Sequence, residues 1–289
     1  MPARKHGDRR DATWVRDTDP LHFFLPYIYP HRADNEAVVK ERIDLTRLNA
    51  FLEEKNRGLE KDRYTFFHAL CAAIVRTITL RPKMNRFIKG HRLYQRNELT
   101  LSFVVKKEMK DDGGEALAYI AFGPESNIDT VHKAILAEVH EMRSDKPDNS
   151  TASMDLFTKL PRWLMRIVMK ILFLLDYYGR VPLSLVKADP NHASVFLTNL
   201  GSIGLSADYH HLFNWGTCSI FVVVGQRKWE PVFARDGSYE MHEVVDIAIT
   251  LDERIADGYY YARTIQLIKY LLQNPELLDQ RADEQVEVR

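Results

Sequence analysis

Three apolar runs of strand length lie in the second half of the chain and most constrain its fold. They are ASVFLTNLG, CSIFVVVGQ and VVDIAITLD, each bounded by glycine or a charged residue. Runs of this length and β-branched composition are typical of strands buried on both faces of a sheet. Apolar residues at helical spacing predict helices over 46–56, 64–80, 127–142 and 259–273. Strands and helices alternate in both halves, so the predicted class is α/β with a mixed sheet.

Composition along the chain predicts one domain with two tails. Residues 1–19 are basic and polar and predict a flexible N-terminal tail, residues 20–280 form the domain, and residues 281–289 form a C-terminal tail. Three prolines between Pro20 and Pro30 predict an extended surface segment, because proline interrupts a helix. The polar stretch SDKPDNSTA (144–152) predicts a loop between the two halves.

Charge and cysteine content argue against several classes of protein. Lysine plus arginine number 40 and aspartate plus glutamate number 40, so no long-range positive field is available to collect nucleic acid. Cys71 and Cys218 each lie alone in apolar surroundings, without the spacing of a disulfide framework or a zinc site. No apolar signal segment follows the N-terminus. We therefore expect a cytoplasmic protein with no metal and no nucleic-acid partner.

The segment PRWLMRIVMKILFLLDYYG predicts an amphipathic helix at about residues 160–178. Arg162, Arg166 and Lys170 recur every four residues beside a broad apolar face, and the apolar stretch Trp163–Leu175 is too short to cross a bilayer. Three interpretations stay open. The helix caps the core or contacts another subunit, or it docks a partner, or it makes a weak contact with a membrane surface.

Two segments of the second half resemble a known family. SVFLTNLGSIGL and VDIAITLDERIADGYYYARTIQLIKYLLQNPELL resemble the catalytic core of the dihydrolipoyl acyltransferases of 2-oxoacid dehydrogenase complexes, which share a superfamily with chloramphenicol acetyltransferase. In the first half, RIDLTRLNAFLEEKN and LTLSFVVKKE are similar to the opening strand and helix and to a later strand of that core. The TNLG and DERIADG segments are the distinctive part of the match.

This resemblance implies a fold, an activity and an assembly. The fold is a two-layer sandwich, with a large mixed β-sheet covered by helices, and the helix at about 160–178 is an insertion in it. The activity is transfer of an acyl group from a coenzyme A thioester to a thiol, hydroxyl or amine of a small-molecule acceptor. The assembly is a homotrimer in which the Thr198 segment of one chain faces the Glu253 segment of its neighbour. Coenzyme A is expected as part of the acyl-CoA substrate, and neither a lipoyl group nor a metal is expected.

The resemblance also assigns site residues. Thr198 matches the hydroxyl that stabilises the oxyanion of the tetrahedral intermediate. Asp257 matches a structural aspartate that pairs with an arginine, for which Arg16 and Arg32 are the candidates. Glu253 stands where the family has its catalytic histidine. Further candidates for binding substrate or coenzyme A are Asn199, Gly201, His210, His211 and Arg254.

Glu253 leaves two functions open. Imidazole has a pKa of about 6.5, near the working pH of a general base, whereas glutamate at about 4.3 needs burial to raise its pKa. The first alternative is an acyltransferase in which Glu253, or a substitute such as His210 or His211, takes the proton from the acceptor. The second is a catalytically inactive homologue that serves as a trimeric scaffold or an acyl-CoA-binding protein.

Overall fold

The computed structural model of the chain describes residues 5–106, 110, 114–143 and 158–287. Its main sheet has six strands, which are β2 (Glu36–Asp44), β5 (Leu99–Lys106), β6 (Glu115–Phe122), β7 (Val195–Asn199), β8 (Ile220–Phe233) and β9 (Tyr239–Asp252). Their order is β2–β9–β8–β7–β5–β6. β7 runs parallel to both its neighbours, and the other pairs are antiparallel. The three apolar runs are therefore adjacent strands of one mixed sheet, as predicted.

Seven α-helices belong to the described part of the chain. They are α1 (Pro20–Ile28), α2 (Thr46–Lys55), α3 (Phe66–Leu80), α4 (Ile128–Arg143), α5 (Arg162–Tyr177), α6 (Leu183–Ala188) and α7 (Gly258–Gln273). Helix α5 lies within the amphipathic helix predicted at about residues 160–178. Within the described ranges, no helix is long and apolar enough to cross a membrane.

Alternate residues of the central strands enter two separate hydrophobic clusters. Leu197, Val222 and Ile249 pack with side chains of α2, α3, α4 and α7 in the larger cluster. Phe196 and Phe221 face the opposite side, where they pack with residues of the 200–218 segment. Side chains of a strand alternate between the faces of a sheet, so helices cover one face and an irregular segment covers part of the other. The predicted two-layer fold is confirmed.

A smaller sheet corrects the prediction of a flexible N-terminal tail. β1 (Ala12–Trp14) pairs with β4 (Arg92–Arg96), which pairs with β3 (Arg86–Lys89). Ala12 is buried in this sheet, and Arg9 is buried against Asp176 of α5. The C-terminal segment is also attached, since the backbone N–H of Ala282 donates to the carbonyl of Ser126. These contacts come from residues distant in sequence, which composition alone does not reveal.

Helix α1 contradicts the extended segment predicted for Pro20–Pro30. Pro20 occupies the first helical position, where a missing N–H costs no intrahelical hydrogen bond. The Asp19 side chain caps the helix by accepting from the backbone N–H of His22 at 3.1 Å. Pro26 lies inside the helix and removes one hydrogen bond from it. The predicted loop at 144–152 lies outside the described residues.

Candidate active site

The DERIADG segment forms the turn between β9 and α7. The carboxylate of Asp252 accepts two charge-assisted hydrogen bonds from its near neighbour Arg254, from Nε at 2.8 Å and from Nη2 at 2.7 Å. Both side chains are buried, and Arg254 also donates from Nη1 to the carbonyl of Tyr29 at 2.8 Å. This planar, two-point pairing fixes the shape of the turn and joins it to the end of α1.

A second arginine reaches the same carboxylate. Nε of Arg32 lies 3.7 Å from Oδ2 of Asp252, and Nη2 of Arg32 donates to the carbonyl of Gly216 at 3.3 Å. Burial lowers the pKa of Arg32, and the charge of Asp252 opposes that effect. Asp252 therefore links the β9–α7 turn to the segment that precedes β8.

The expected ion pair of Asp257 with Arg16 or Arg32 is not formed in the protomer. Asp257 is exposed and caps α7, where its Oδ1 accepts from the backbone N–H of Tyr260 at 2.8 Å. That hydrogen bond lowers the pKa of Asp257. Arg16 pairs with Asp8 at 3.0 Å, and Arg32 faces Asp252. The arginine–aspartate anchor of the turn is present, but its aspartate is Asp252.

Glu253 is exposed at the start of this turn. Its backbone N–H donates to the carbonyl of Asn35 at 2.9 Å, which holds the residue beside the beginning of β2. No hydrogen bond or ion pair joins its carboxylate to the described residues of the protomer. The protomer alone thus supplies no apolar enclosure for Glu253.

The TNLG segment ends β7 and lies very close to the backbone of β8. The Oδ1 of Asn199 accepts from the backbone N–H of Ser202 at 3.3 Å and caps a short 3₁₀ turn. A Cβ at Gly201 would lie 2.3 Å from the carbonyl oxygen of Gly225, so only glycine fits against β8. Thr198 is half-buried, and its hydroxyl has no hydrogen-bond partner within the described ranges. That hydroxyl is available to a ligand.

Thr198 and Glu253 do not meet within one protomer. Thr198 pairs with Val223 of β8, and Val223 pairs with Ala248 of β9. Ala248 lies five residues before Glu253 in the sequence. At ~3.3 Å per residue and ~4.8 Å between strands, the two residues lie roughly 19 Å apart. A site that uses both needs a second copy of the chain.

The two adjacent histidines lie at the same end of the sheet as Glu253. The backbone N–H of Leu212, next to His211, donates to the carboxylate of Glu36 at 2.5 Å, and Glu36 pairs with Asp252 in the β2–β9 ladder. The ring of His210 packs at 5.0 Å from that of Phe221. The structure thus brings the His210–His211 segment near the β9–α7 turn.

A cavity of about 410 Å³ opens beside the turn, and no sequence motif predicted it. It lies between α1, the turn that joins β3 to β4, and α5. Its lining residues are Pro26, Pro30, His31, Arg32, Ile88, Lys89, Gly90, His91, Phe173, Tyr177, Asn214 and Arg254. The feature that distinguishes this place is the positive φ of His91 in the turn KGHR, and that backbone angle cannot be deduced from the sequence. Within the described ranges, no group of three or more His, Cys, Asp or Glu is placed to hold a metal ion.

One family model matches part of the chain. Residues 184–279 match the model of the family described as 2-oxoacid dehydrogenases acyltransferase (catalytic domain), and this range contains both the TNLG and the DERIADG segments. A search of curated protein sequences finds no match to the chain.

Solved structures show the same fold over most of the chain. A probable dihydrolipoamide acetyltransferase from Listeria monocytogenes is 14% identical with a TM-score of 0.57, and the match covers 94% of this chain and 97% of that one. The truncated catalytic core of the 2-oxoacid dehydrogenase multienzyme complex from Thermoplasma acidophilum is 14% identical with a TM-score of 0.55, covering 90% and 98%. Chloramphenicol acetyltransferase is 12% identical with a TM-score of 0.52, covering 87% and 94%. The fold is that of the chloramphenicol-acetyltransferase-like proteins.

Proposed function

We propose that this chain, which has the chloramphenicol-acetyltransferase-like fold and an acyltransferase-family segment at residues 184–279, transfers an acyl group from a coenzyme A thioester to a small acceptor. The acceptor presents a thiol, hydroxyl or amine. The observation that carries the proposal is the free hydroxyl of Thr198, on a TNLG segment that lies in the same family match as the anchored DERIADG turn. Such a hydroxyl can stabilise the oxyanion that forms when the acceptor attacks the thioester.

The working form under this proposal is a homotrimer in the cytoplasm. Its site would join Thr198 of one protomer to Glu253 of the next, which agrees with their wide separation inside a single protomer. Asn199 and Gly201 would shape the coenzyme A side, and His210, His211 and Arg254 would lie on the side of the turn. Asp257 would hold the turn through its cap on α7.

Glu253→Gln is expected to lower kcat for thioester cleavage by about tenfold. The reason is that Glu253 would contact the substrate, while its exposed position leaves the removal of the proton to a histidine. The measurement is release of free thiol from a panel of acyl-coenzyme A thioesters, with each candidate acceptor present in excess.

Two other results of that assay would change the role of Glu253 or the proposed function. A fall of ~100-fold or more in Glu253→Gln makes the carboxylate itself the base. A wild type that releases no thiol, together with a Glu253→His variant that does, identifies an inactive scaffold or acyl-CoA-binding protein and ends the proposal of a working enzyme.

We also propose that α5 binds anionic membrane surfaces. At 100° per residue, the solvent-facing half of α5 carries two adjacent stripes, one basic and one apolar. The basic stripe is Arg162, Arg166 and Lys170, and the apolar stripe is Trp163, Ile167, Ile171 and Leu174, with Trp163 65% exposed. Asp176, the single acidic residue of α5, is buried. An exposed apolar stripe edged only by positive charge matches an interfacial helix on acidic lipid.

Trp163→Ser is expected to weaken binding to phosphatidylserine-containing vesicles by about tenfold, because it removes the largest apolar side chain of the stripe. The pair Arg166→Gln and Lys170→Gln should weaken it by about thirtyfold. Flotation of the protein with the vesicles at low and high salt measures both effects. Trp229→Ser is the matched control, since Trp229 is 67% exposed on β8 and should leave flotation unchanged. Flotation that is absent at low salt, or equal in Trp163→Ser and wild type, would refute this role of α5.

A further inference from the structure

The cavity beside the β9–α7 turn has the size and lining of a small-molecule site. Its volume of about 410 Å³ lies in the range of ligand pockets, and its walls combine proline and aromatic side chains with polar and charged ones in similar number. Arg254, one residue after Glu253, forms part of the wall. The cavity therefore opens directly next to the turn that would carry the reaction.

A backbone carbonyl decides which nitrogen of a neutral His91 ring carries the hydrogen. Nδ1 of this ring lies 2.8 Å from the carbonyl oxygen of Pro26. A carbonyl only accepts hydrogen bonds, so Nδ1 carries the hydrogen and Nε2 of the neutral ring retains its lone pair. No hydrogen bond joins Nε2 to the part of the protomer that the structure describes. This is the state that a general base needs before it takes a proton.

The ring of His91 is also held in one orientation. It stacks on Tyr27 of α1 with ring centroids 4.7 Å apart and planes 9° apart, and the edge of Tyr177 of α5 approaches it at 5.9 Å. A Cβ at Gly90 would lie 2.5 Å from the carbonyl oxygen of Tyr177, so this glycine lets the end of α5 pack on the turn. The inserted helix thus helps to position His91.

The backbone of His91 has an unfavourable conformation for a side chain. Gly90 and His91 have φ values of 56° and 58°, the two positive angles of a type I′ hairpin turn. Glycine or asparagine is the usual choice at the second position, and histidine is accepted there less readily. A residue kept in such a conformation inside a cavity is a candidate for function.

The charged groups around the cavity are already paired with one another. Lys89 contacts Asp176 at 2.6 Å, and Arg254 and Arg32 share Asp252. Three cations thus face two carboxylates, so the wall stays positively charged while no arginine or lysine of it is left without a counter-ion. What remains for a ligand is the apolar part of the lining with the side chains of His31, Asn214 and His91. Such a site suits an acceptor with an aliphatic or aromatic body and one nucleophilic hydroxyl, amine or thiol.

We propose that this cavity holds the acyl acceptor and that His91 is the general base of the transfer, an inference that rests on the proposed acyltransferase function. Nε2 of His91 takes the proton of the acceptor as the acceptor's lone pair attacks the thioester carbonyl carbon. The tetrahedral oxyanion collapses, the carbon–sulfur bond breaks, and the coenzyme A thiolate takes the proton from the imidazolium. The products are the acylated acceptor and free coenzyme A.

His91→Asn tests this role with little disturbance of the turn. Asparagine tolerates a positive φ, and its amide nitrogen can replace Nδ1 as the donor to Pro26, but it offers no base at the place of Nε2. We expect kcat for thiol release to fall by about 10²–10⁴-fold with the melting temperature unchanged. His140→Asn is the matched control, because His140 is exposed on α4 and pairs with Asp62.

His91→Gly gives a second, independent readout. Glycine fits the positive φ and leaves a ring-sized gap, so added imidazole should restore a measurable part of the lost activity. Imidazole that raises the activity of His91→Gly and leaves that of the His140→Asn control unchanged supports the role even if His91→Asn folds poorly. Full activity in His91→Asn, or absence of rescue, overturns the role of His91 and leaves the acyltransferase proposal standing. A wild type without thiol release overturns both.

Discussion

Replacing Asp176 by alanine is expected to lower the free energy of unfolding by about 3–5 kcal/mol. Asp176 is fully buried at the end of α5 and is surrounded by positive groups. Nη2 of Arg9 lies at 3.0 Å, Nζ of Lys89 at 2.6 Å, and Nε2 of His192 at 3.8 Å from its carboxylate oxygens. Removing the carboxylate leaves buried cations without their counter-charge and breaks the ion pair between Arg9 and α5, although Arg9 still donates to the backbone carbonyl of residue 176.

The pH dependence of this loss of stability follows from the titration of the Asp176 carboxyl. Burial raises the pKa of Asp176, but the nearby His192 and the charges of Lys89 and Arg9 outweigh it and hold the pKa well below its usual range. A carboxyl with a lowered folded-state pKa stabilises the fold above its unfolded pKa of about 3.9 and loses that contribution as pH falls below it. The difference between wild type and Asp176→Ala should therefore be full at neutral pH and shrink in acid.

Urea unfolding at neutral pH, followed by circular dichroism, measures the change. Asp208→Ala is the control, because Asp208 is 81% exposed and lies 3.9 Å from Lys40. An exposed pair of this kind should contribute less than about 0.5–1 kcal/mol. Equal losses in the two variants would mean that the buried cluster does not stabilise the attachment of α5.

The regular part of the fold was predictable because its signals are local. The runs around Phe196, Phe221 and Ile249 have the composition of buried strands, and they became three adjacent strands. Their alternation places Phe196 and Leu197 in different hydrophobic clusters, as the two-residue period of a strand requires. The amphipathic period of α5 was equally clear from residues 160–178.

The N-terminal part of the domain was not predicted, because the prolines of α1 concealed a local helix cap and the segment before α1 is held by a distant contact. Three prolines argued against a helix at α1, yet Pro20 occupies the first turn and the Asp19 cap offsets part of the loss at Pro26. The basic N-terminal segment was predicted to be a tail, but Arg9 forms an ion pair with Asp176, which is distant in sequence. Local propensity contains no information about a partner as distant in sequence as Asp176.

The candidate site shows the same division. The resemblance located the Thr198 and Glu253 segments, but it assigned the arginine pair to Asp257, whereas geometry gives it to Asp252. His91 could not be found from the sequence, because its place in the cavity depends on α1 and α5 packing on one hairpin turn. Motif spacing shows which residues share a loop and not which elements enclose a cavity.

Replacing Thr198 by valine is expected to lower kcat for thiol release by about 10²–10³-fold if the protein is the proposed acyltransferase. Valine keeps the β-branched shape that suits the end of β7, so stability should change by less than about 1 kcal/mol. What is lost is the free hydroxyl, whose hydrogen bond to the oxyanion exists only when the thioester carbonyl has been attacked. The loss should therefore fall on kcat rather than on KM.

Thr198→Ser separates this role from a structural one. Serine keeps the hydroxyl and loses the methyl group, so Thr198→Ser should retain at least about a tenth of the wild-type kcat. Valine keeps the shape of the side chain but lacks the hydroxyl, so Thr198→Val should show the large fall in kcat. If valine and wild type turn over within about threefold of each other, Thr198 is an ordinary strand residue. In that case the oxyanion must be stabilised by another group, and the roughly 19 Å between Thr198 and Glu253 no longer argues for a site that two protomers build together.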